Sequence, residues 1–259
     1  MSQIDPRAIV SPRARLGHNV RIAAFAVLGD EVELGDDCVL HEHATVRGPA
    51  RFGRGNIFHS FCSVGGDPQS LKYHGEPTRL ECGDENTFHE FCTVNRGTVE
   101  GGGVTRIGHR NLFMAYAHIA HDCQIGNDTV FANGATLAGH VVVEDFATVG
   151  AFCPVHQFCR IGRHAYIAAF TVITQDVAPF SLVVAPRETK CYGVNRVGLE
   201  RRGFSSERIR ALEGAFRLLL RSKLNTSQAL ERMRACYNGQ PDVEEMIRFI
   251  ESSRRGLVK

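Results

Sequence analysis

The chain has 259 residues, 43% hydrophobic and 22% charged, a balance typical of a folded, soluble protein with room for one large domain or one large and one small. No stretch reaches the ~18 apolar residues of a membrane span, and the opening MSQIDPRAIV lacks the basic start and apolar core of a signal peptide. A cytoplasmic protein without membrane insertion is therefore expected. Net charge is only +2, yet from Asn195 onward 14 Lys or Arg stand against 8 Asp or Glu. A basic tail of this kind suits an acidic partner or an anionic ligand.

From Ala8 the chain falls into sixes: AIVSPR, ARLGHN, VRIAAF, AVLGDE and onward. The third position is apolar in each of the first ten (Val10, Leu16, Ile22, Leu28, Leu34, Leu40, Val46, Phe52, Phe58, Val64), and the first is mostly Ala or Cys. The register breaks at 66–79 and 98–104, then runs from Thr105 to Asp176. Six residues are too few for a helix pair. They suit one short strand and one corner, with the first and third residues turned inward on alternate pleats. Three faces make an 18-residue coil, and coils stack at about 4.8 Å. The two breaks are expected to be loops thrown out at corners, where solenoids build binding faces.

Seven of the nine cysteines (Cys38, Cys62, Cys82, Cys92, Cys123, Cys153, Cys159) occupy inward positions of the repeat, and no C-x-x-C occurs. They are predicted to fill the core as small hydrophobes. Pro179 and Pro186 mark a linker, giving domains 1–190 and 191–259. In the tail, Ser205 or Ser206 can cap a helix with Ile209, Leu212, Phe216, Leu219 and Leu220 inward. A second helix starts near Thr226 or Ser227, with Leu230, Met233 and Tyr237 inward. A third follows Pro241, with Val243, Met246, Ile247 and Ile250 inward.

Stacking by 18 places position 139 over His121, His140 over Asp122 and Gln157 over 139, with His156 beside it. This gathers a polar column on one edge from distant sequence. Asp122 beside His121 supplies a carboxylate able to set the imidazole tautomer, the pairing that general acid–base chemistry needs. Zinc catalysis as in carbonic anhydrase-like β-helices is the competing use of histidine, but His118 and His121 are three apart where those ligands are five apart; no metal is expected. Gly101-Gly102-Gly103 lacks a lysine at P-loop spacing, and no nucleic-acid-reading motif is present. A purely structural solenoid fits the repeat but leaves the polar column without a use.

The repeat resembles the left-handed parallel β-helix of hexapeptide-repeat transferases, and the handedness comes from that likeness. QSLKYHGEPTR (69–79), VNRGTVEGGG (94–103), AHIAHDC (117–123), ATLAGHV (135–141), VHQFCRIG (155–162) and GLERRGFS (198–205) narrow the resemblance to the UDP-N-acetylglucosamine 3-O-acyltransferases of lipid A biosynthesis. The fold so implied is mainly β, a left-handed β-helix followed by a small helical domain. The likeness further implies that His121 is the general base, oriented by Asp122, with the Gly139 N–H as oxyanion donor. Gln69, Lys72, His140, His156 and Gln157 would then line the sugar site, and Asn195, Arg201 and Arg202 would hold the uridine diphosphate. Ala168 and Ala169 would limit the acyl chain to medium length. The implied donor is a 3-hydroxyacyl group on the phosphopantetheine of acyl carrier protein, with no other cofactor, and the implied assembly is a homotrimer. Ser70 stands where the family often has Asp, which leaves a 3-amino sugar open as acceptor; an acyl-CoA-dependent transferase is the other alternative.

Overall fold

The computed structural model describes residues 2–185, 191 and 193–253. The chain divides into two compact units, 1–185 and 186–259; Pro186, expected in the linker, lies outside the described residues.

The first unit is a left-handed parallel β-helix with three faces of ten, eight and eight strands. Most hexads give a two-residue strand at their second and third positions, as in Ile9–Val10, Arg15–Leu16 and Arg21–Ile22. These strands lie on the second, third and first face in turn, and pairing is parallel throughout, with Arg21 beside Val39 and Val39 beside Ile57. The insertions alter chain length without altering the ladder: Ile57 pairs with Thr87, and Thr87 with Leu112. A two-residue strand has little stability alone, so each depends on the coils above and below.

The interior holds the residues the period selects. Ala26, Cys38, Ala44 and Cys92 are fully buried, as are Leu40, Val46, Phe58 and Ile119. Phe58, Phe88, Phe113 and Phe131 form one continuous stack with ring centroids 5.0 to 5.2 Å apart. All seven inward cysteines are buried free thiols. Burial pushes the thiols of Cys92 and Cys123 up to about 12, which leaves them protonated and inert. A buried polar line runs through the same core. The Asn86 amide donates to Asn56 Oδ1 (3.1 Å), and Asn86 Oδ1 accepts from the backbone and side chain of Asn111 (3.0 and 2.9 Å).

The sixth position of the hexad turns the corner in the left-handed conformation. Asn19, Asp37 and Asp128 suit it, but Phe25, Phe61, Phe91, Phe152 and Phe170 also adopt φ between 53° and 64°. That conformation costs a non-glycine residue about 1–2 kcal/mol. These exposed rings stack from coil to coil, Phe61 on Phe91 (5.4 Å) and Phe91 on Tyr116 (5.0 Å), which returns about 0.5–1.5 kcal/mol per pair. The two magnitudes nearly cancel, so the aromatics persist without weakening the coil.

The second unit contains α1 (Arg196–Arg201), α2 (Ser206–Arg221), α3 (Thr226–Cys236) and α4 (Pro241–Ser252). Ser205 caps α2 by accepting from the Arg208 N–H. α3 starts at Thr226, as expected, and is capped by Asn225, which exchanges hydrogen bonds with Gln228 in a capping box. The buried stripe of α2 is Ile209, Leu212, Ala215 and Leu219, with Phe216 and Leu220 only partly covered. α1 has no buried residue, so no apolar periodicity announced it. No described helix is long and apolar enough to cross a membrane.

Phe113→Ala should open a cavity in the aromatic stack and destabilise the β-helix by about 3–5 kcal/mol, read as a lowered denaturation midpoint. A change below about 1 kcal/mol would mean that the neighbouring coils close over the gap.

Candidate functional site

Both insertions leave the β-helix at one corner, between the second and third faces. The first joins Ser63–Gly66 to Arg79–Cys82, and the second joins Thr93–Asn95 to Val104–Ile107. Higher on this corner, His121 and Asp122 follow strand His118–Ile119 and precede Gln124–Ile125. Gly139 and His140 lie one coil on, where the His140 N–H donates to the His121 carbonyl (3.0 Å). His156 and Gln157 follow, both exposed, and Phe158 stacks on His140 at 4.6 Å. Coil stacking thus brings together residues spread over the middle of the chain.

His121 Nδ1 lies 2.8 Å from Asp122 Oδ2. A carboxylate only accepts, so Nδ1 carries the proton and Nε2 is left as an acceptor. The His121 side chain is 19% accessible, but the Asp122 side chain is 0% accessible. It is covered by the second insertion. The Thr98 N–H donates to Asp122 Oδ1 (2.8 Å) and the Thr98 hydroxyl to Oδ2 (2.6 Å). The Asp122 N–H in turn donates to Thr105 Oγ1 (2.8 Å). His140 Nε2 stands 3.7 Å from Asp122 Oδ2, its ring edge-on to His121. Gly139 is a position where a close approach forbids a side chain: a Cβ there would sit 2.5 Å from His121 Cε1 and 2.9 Å from Nε2. Among the described residues its N–H has no hydrogen-bond acceptor, since the fifth position of a hexad lies outside the ladder.

The first insertion, which carries Gln69 and Lys72, both exposed, is tied down at its base by buried side chains. The Asn95 amide donates to the Asp67 carbonyl (2.6 Å). The Arg96 guanidinium donates to the carbonyls of Gly48 (2.9 Å) and Gly65 (2.8 Å), to the Tyr73 hydroxyl (3.1 Å) and to the Asp67 carboxylate. Arg96 and Thr98 escaped the sequence reading. The hexad register ends just where they occur, and the only available sign was a polar run, Asn95 to Thr98, in place of the next inward pair.

Other expected site residues stand elsewhere. Ala168 and Ala169 follow strand Tyr166–Ile167 at the corner between the first and second faces, a different edge from His121. Asn195 caps α1, its Oδ1 accepting from the Gly198 N–H (3.1 Å), and Arg201 and Arg202 close that helix. Among the described residues neither arginine has a carboxylate partner. Arg208 is engaged with both oxygens of Asp242 (2.7 Å each) and lies over the Phe204 ring, so it does not join Arg210, Arg217 and Arg221, which are exposed and have no carboxylate partner among the described residues.

A concavity of about 890 Å³ lies on the outer side of the third face among Arg15, Glu33, Arg51, Arg79, Glu81 and Arg106. Its lining includes the buried thiol Cys82 and His109, whose Nδ1 lies 3.3 Å from Asp84 Oδ2, and arginines in excess of glutamates, Arg15 pairing with Glu33 at 2.9 Å. His121 instead sits on an open edge. Two described clusters have metal-ligand spacing, His59–His89–Glu90 and His121–Asp122–His140. In the second, both Asp122 oxygens are already occupied by Thr98 and His121.

His118 adjoins this site, its Nδ1 2.7 Å from Thr93 Oγ1. Burial, and then the nearby His121, hold its pKa below the ordinary histidine value. The folded value therefore lies below the unfolded one, so the contribution to stability is complete above about pH 6.5 and is lost as pH falls through the folded value. His118→Gln should shrink the drop in melting temperature between about pH 7.5 and about pH 5. An undiminished drop would assign it to other groups.

Comparison with known proteins gives a single family. A profile described as UDP N-acetylglucosamine O-acyltransferase, domain 2, matches residues 176–258, and the bacterial transferase hexapeptide profile matches 13–48 and 104–139. The chain is 48% identical over 259 residues to the acyl-[acyl-carrier-protein]–UDP-N-acetylglucosamine O-acyltransferase of Alkalilimnicola ehrlichii, covering all of both chains. Among solved structures, LpxA from Acinetobacter baumannii is 35% identical with a TM-score of 0.70 and full coverage of both chains. The UDP-N-acetylglucosamine acyltransferase of Bacteroides fragilis is 37% identical with a TM-score of 0.69, covering 99% of this chain and 100% of that one. Full-length identity of this order, on the same β-helix with the same helical tail, makes this chain a member of the acyl-[acyl-carrier-protein]–UDP-N-acetylglucosamine O-acyltransferase family.

Proposed function

We propose that the protein moves a 3-hydroxyacyl group from acyl carrier protein to the 3-hydroxyl of UDP-N-acetylglucosamine, the first step of lipid A biosynthesis, in the cytoplasm. The observation that carries this is the His121–Asp122 pair: an imidazole whose Nδ1–H is bound to a buried carboxylate and whose Nε2 faces outward as a base. An alcohol is a weak nucleophile at neutral pH, and imidazole has a suitable pKa to activate it. His121 Nε2 takes the hydroxyl proton as the sugar oxygen attacks the thioester carbonyl. The Gly139 N–H, which has no acceptor among the described residues, donates to the resulting oxyanion. Collapse of the tetrahedral intermediate breaks the C–S bond, and the imidazolium returns its proton to the phosphopantetheine sulfur. The products are an ester and a free thiol, and no further cofactor or metal enters. The buried Asp122 stabilises the imidazolium in between.

Lys72, Gln69, His140, His156 and Gln157 are assigned to the sugar nucleotide. Asn195, Arg201 and Arg202 are assigned to the diphosphate, for which the planar guanidinium fork supplies paired donors. Ala168 and Ala169 limit acyl length in this reading, and their place on a different corner from His121 requires that they act on the site of a neighbouring copy. A homotrimer closes the open edge in that way. Arg210, Arg217 and Arg221 offer acidic acyl carrier protein a place to dock.

The test is transfer from a series of 3-hydroxyacyl carrier proteins, and from acyl-CoA, to UDP-N-acetylglucosamine and its 3-amino analogue. The native protein should esterify the hydroxyl sugar with carrier-protein donors. His121→Ala should lose a hundred- to ten-thousandfold in rate, about the worth of a general base. Faster reaction of the amino sugar would replace the ester with an amide, and preference for acyl-CoA would remove the carrier protein. Across donors, rate should peak at medium chain length; a maximum at the longest acyl chain would exclude Ala168 and Ala169 as the limit.

A further inference from the structure

The Asp122 side chain is wholly inaccessible, unlike those of His121 and His140, and an isolated carboxylate in such a place would turn toward water. What prevents this comes from the second insertion, a segment outside the repeat. Thr98 supplies two of the donors at the carboxylate, its N–H at Oδ1 and its hydroxyl at Oδ2, and the third is His121 Nδ1–H, also at Oδ2. The turn that follows seals the pair. Gly101 donates to the Thr98 carbonyl (3.1 Å) and to Thr98 Oγ1 (3.2 Å). It lies so close that a Cβ on it would fall 2.1 Å from Asp122 Cγ and 2.3 and 2.4 Å from the two oxygens. The insertion therefore has no space for any other residue against the carboxylate, and Thr98 itself is buried.

We infer that Thr98, closed over by Gly101, is a positioning residue for the transfer: it holds the Asp122 carboxylate turned toward His121, and so keeps the His121 proton on Nδ1 with Nε2 free. The chemical effect passes through two hydrogen bonds. Without the Thr98 hydroxyl, Oδ2 has His121 as its remaining donor, and the carboxylate can rotate about its own axis. The Nδ1–H then loses its acceptor, the preference for that tautomer falls, and in part of the population Nε2 carries the proton and cannot act as a base. The same segment, through Asn95 and Arg96, anchors the base of the first insertion. Residues 95–98 therefore fix both the loop assigned to the sugar and the carboxylate behind the base.

The inference rests on the proposed role of His121, and its test includes a measurement that needs no substrate. Thr98→Val keeps the shape and the backbone donor but removes the hydroxyl; Thr98→Ser restores it. With acyl carrier protein thioester and UDP-N-acetylglucosamine, Thr98→Val should lower kcat about ten- to a hundredfold, the worth of one hydrogen bond to a charged group, with KM for the sugar nucleotide unchanged. Thr98→Ser should recover most of that loss, and Gly101→Ala, which displaces the carboxylate by contact, should repeat it. In parallel, nitrogen-15 NMR of labelled histidines, with His121 assigned by its disappearance in His121→Ala, should show Nδ1–H alone in the native protein and a tautomer mixture in Thr98→Val. Native-like kcat in Thr98→Val, or a loss of rate with the His121 tautomer unchanged, would overturn the inference. Should the native protein transfer acyl groups to neither sugar, the functional reading fails by itself, and the NMR comparison still decides what Thr98 does to His121.

Discussion

The structure depends on the closure of one 18-residue coil onto the next. Each face contributes a two-residue strand, and every such strand has its hydrogen-bond partners in the neighbouring coils, Ile57 between Val39 and Thr87 for instance. No coil is stable alone, so the repeat must be kept nearly without error wherever the ladder runs. Inward positions are therefore mostly apolar, the asparagines among them bonding to one another, and seven cysteines are drawn into service as filler. Corners must adopt a left-handed conformation that most side chains resist. Where aromatic residues occupy it, stacking between coils offsets the strain.

The same closure creates the site. A corner residue is free of the ladder's inward constraint, and residues a coil apart come within hydrogen-bonding distance. His121 and His140 meet in this way, and Gly139 lets the imidazole lie against the backbone. Catalysis by a surface imidazole also needs a carboxylate shielded from water, and a flat-sided prism has no depth to offer. The two insertions supply it. One covers Asp122 and the other is rooted on Arg96, both at the corner where the histidines stack. Both insertions thus lie at the corner where His121 and His140 stack.

Electrostatics divides along the same line. On the outer side of the third face, charges pair across strands, Arg79 and Arg106 both meeting Glu81 at 2.7 and 3.1 Å. Exposed pairs of this sort contribute little stability, and with two arginines on one glutamate they leave the face positive. In the helical unit Arg208 is held by Asp242, whereas Arg210, Arg217 and Arg221 have no carboxylate partner among the described residues. Charge available to a partner is a property of the pairing as much as of the composition.

By itself the sequence determined the period, and with it the three faces, the inward residues from Val20 to Ile167, the buried thiols and the corner on which His121, Gly139, His140 and Gln157 are stacked. These follow because a solenoid makes spatial neighbours of residues at a constant sequence separation, so counting by 18 is a three-dimensional measurement. The tertiary structure alone decided what the period does not reach. Thr98 on Asp122 and Arg96 on the carbonyls of Gly48 and Gly65 join segments of irregular spacing across the insertions. The burial of Asp122 could not be counted out, because its hexad position is a corner and its cover comes from a loop. The cap at Asn225 and the short helix α1 were likewise missed, since a cap is a local competition among adjacent polar residues and α1 buries no apolar face to mark it. Periodicity encodes the scaffold because every coil solves the same packing problem; the site is encoded in side-chain bonds that occur once.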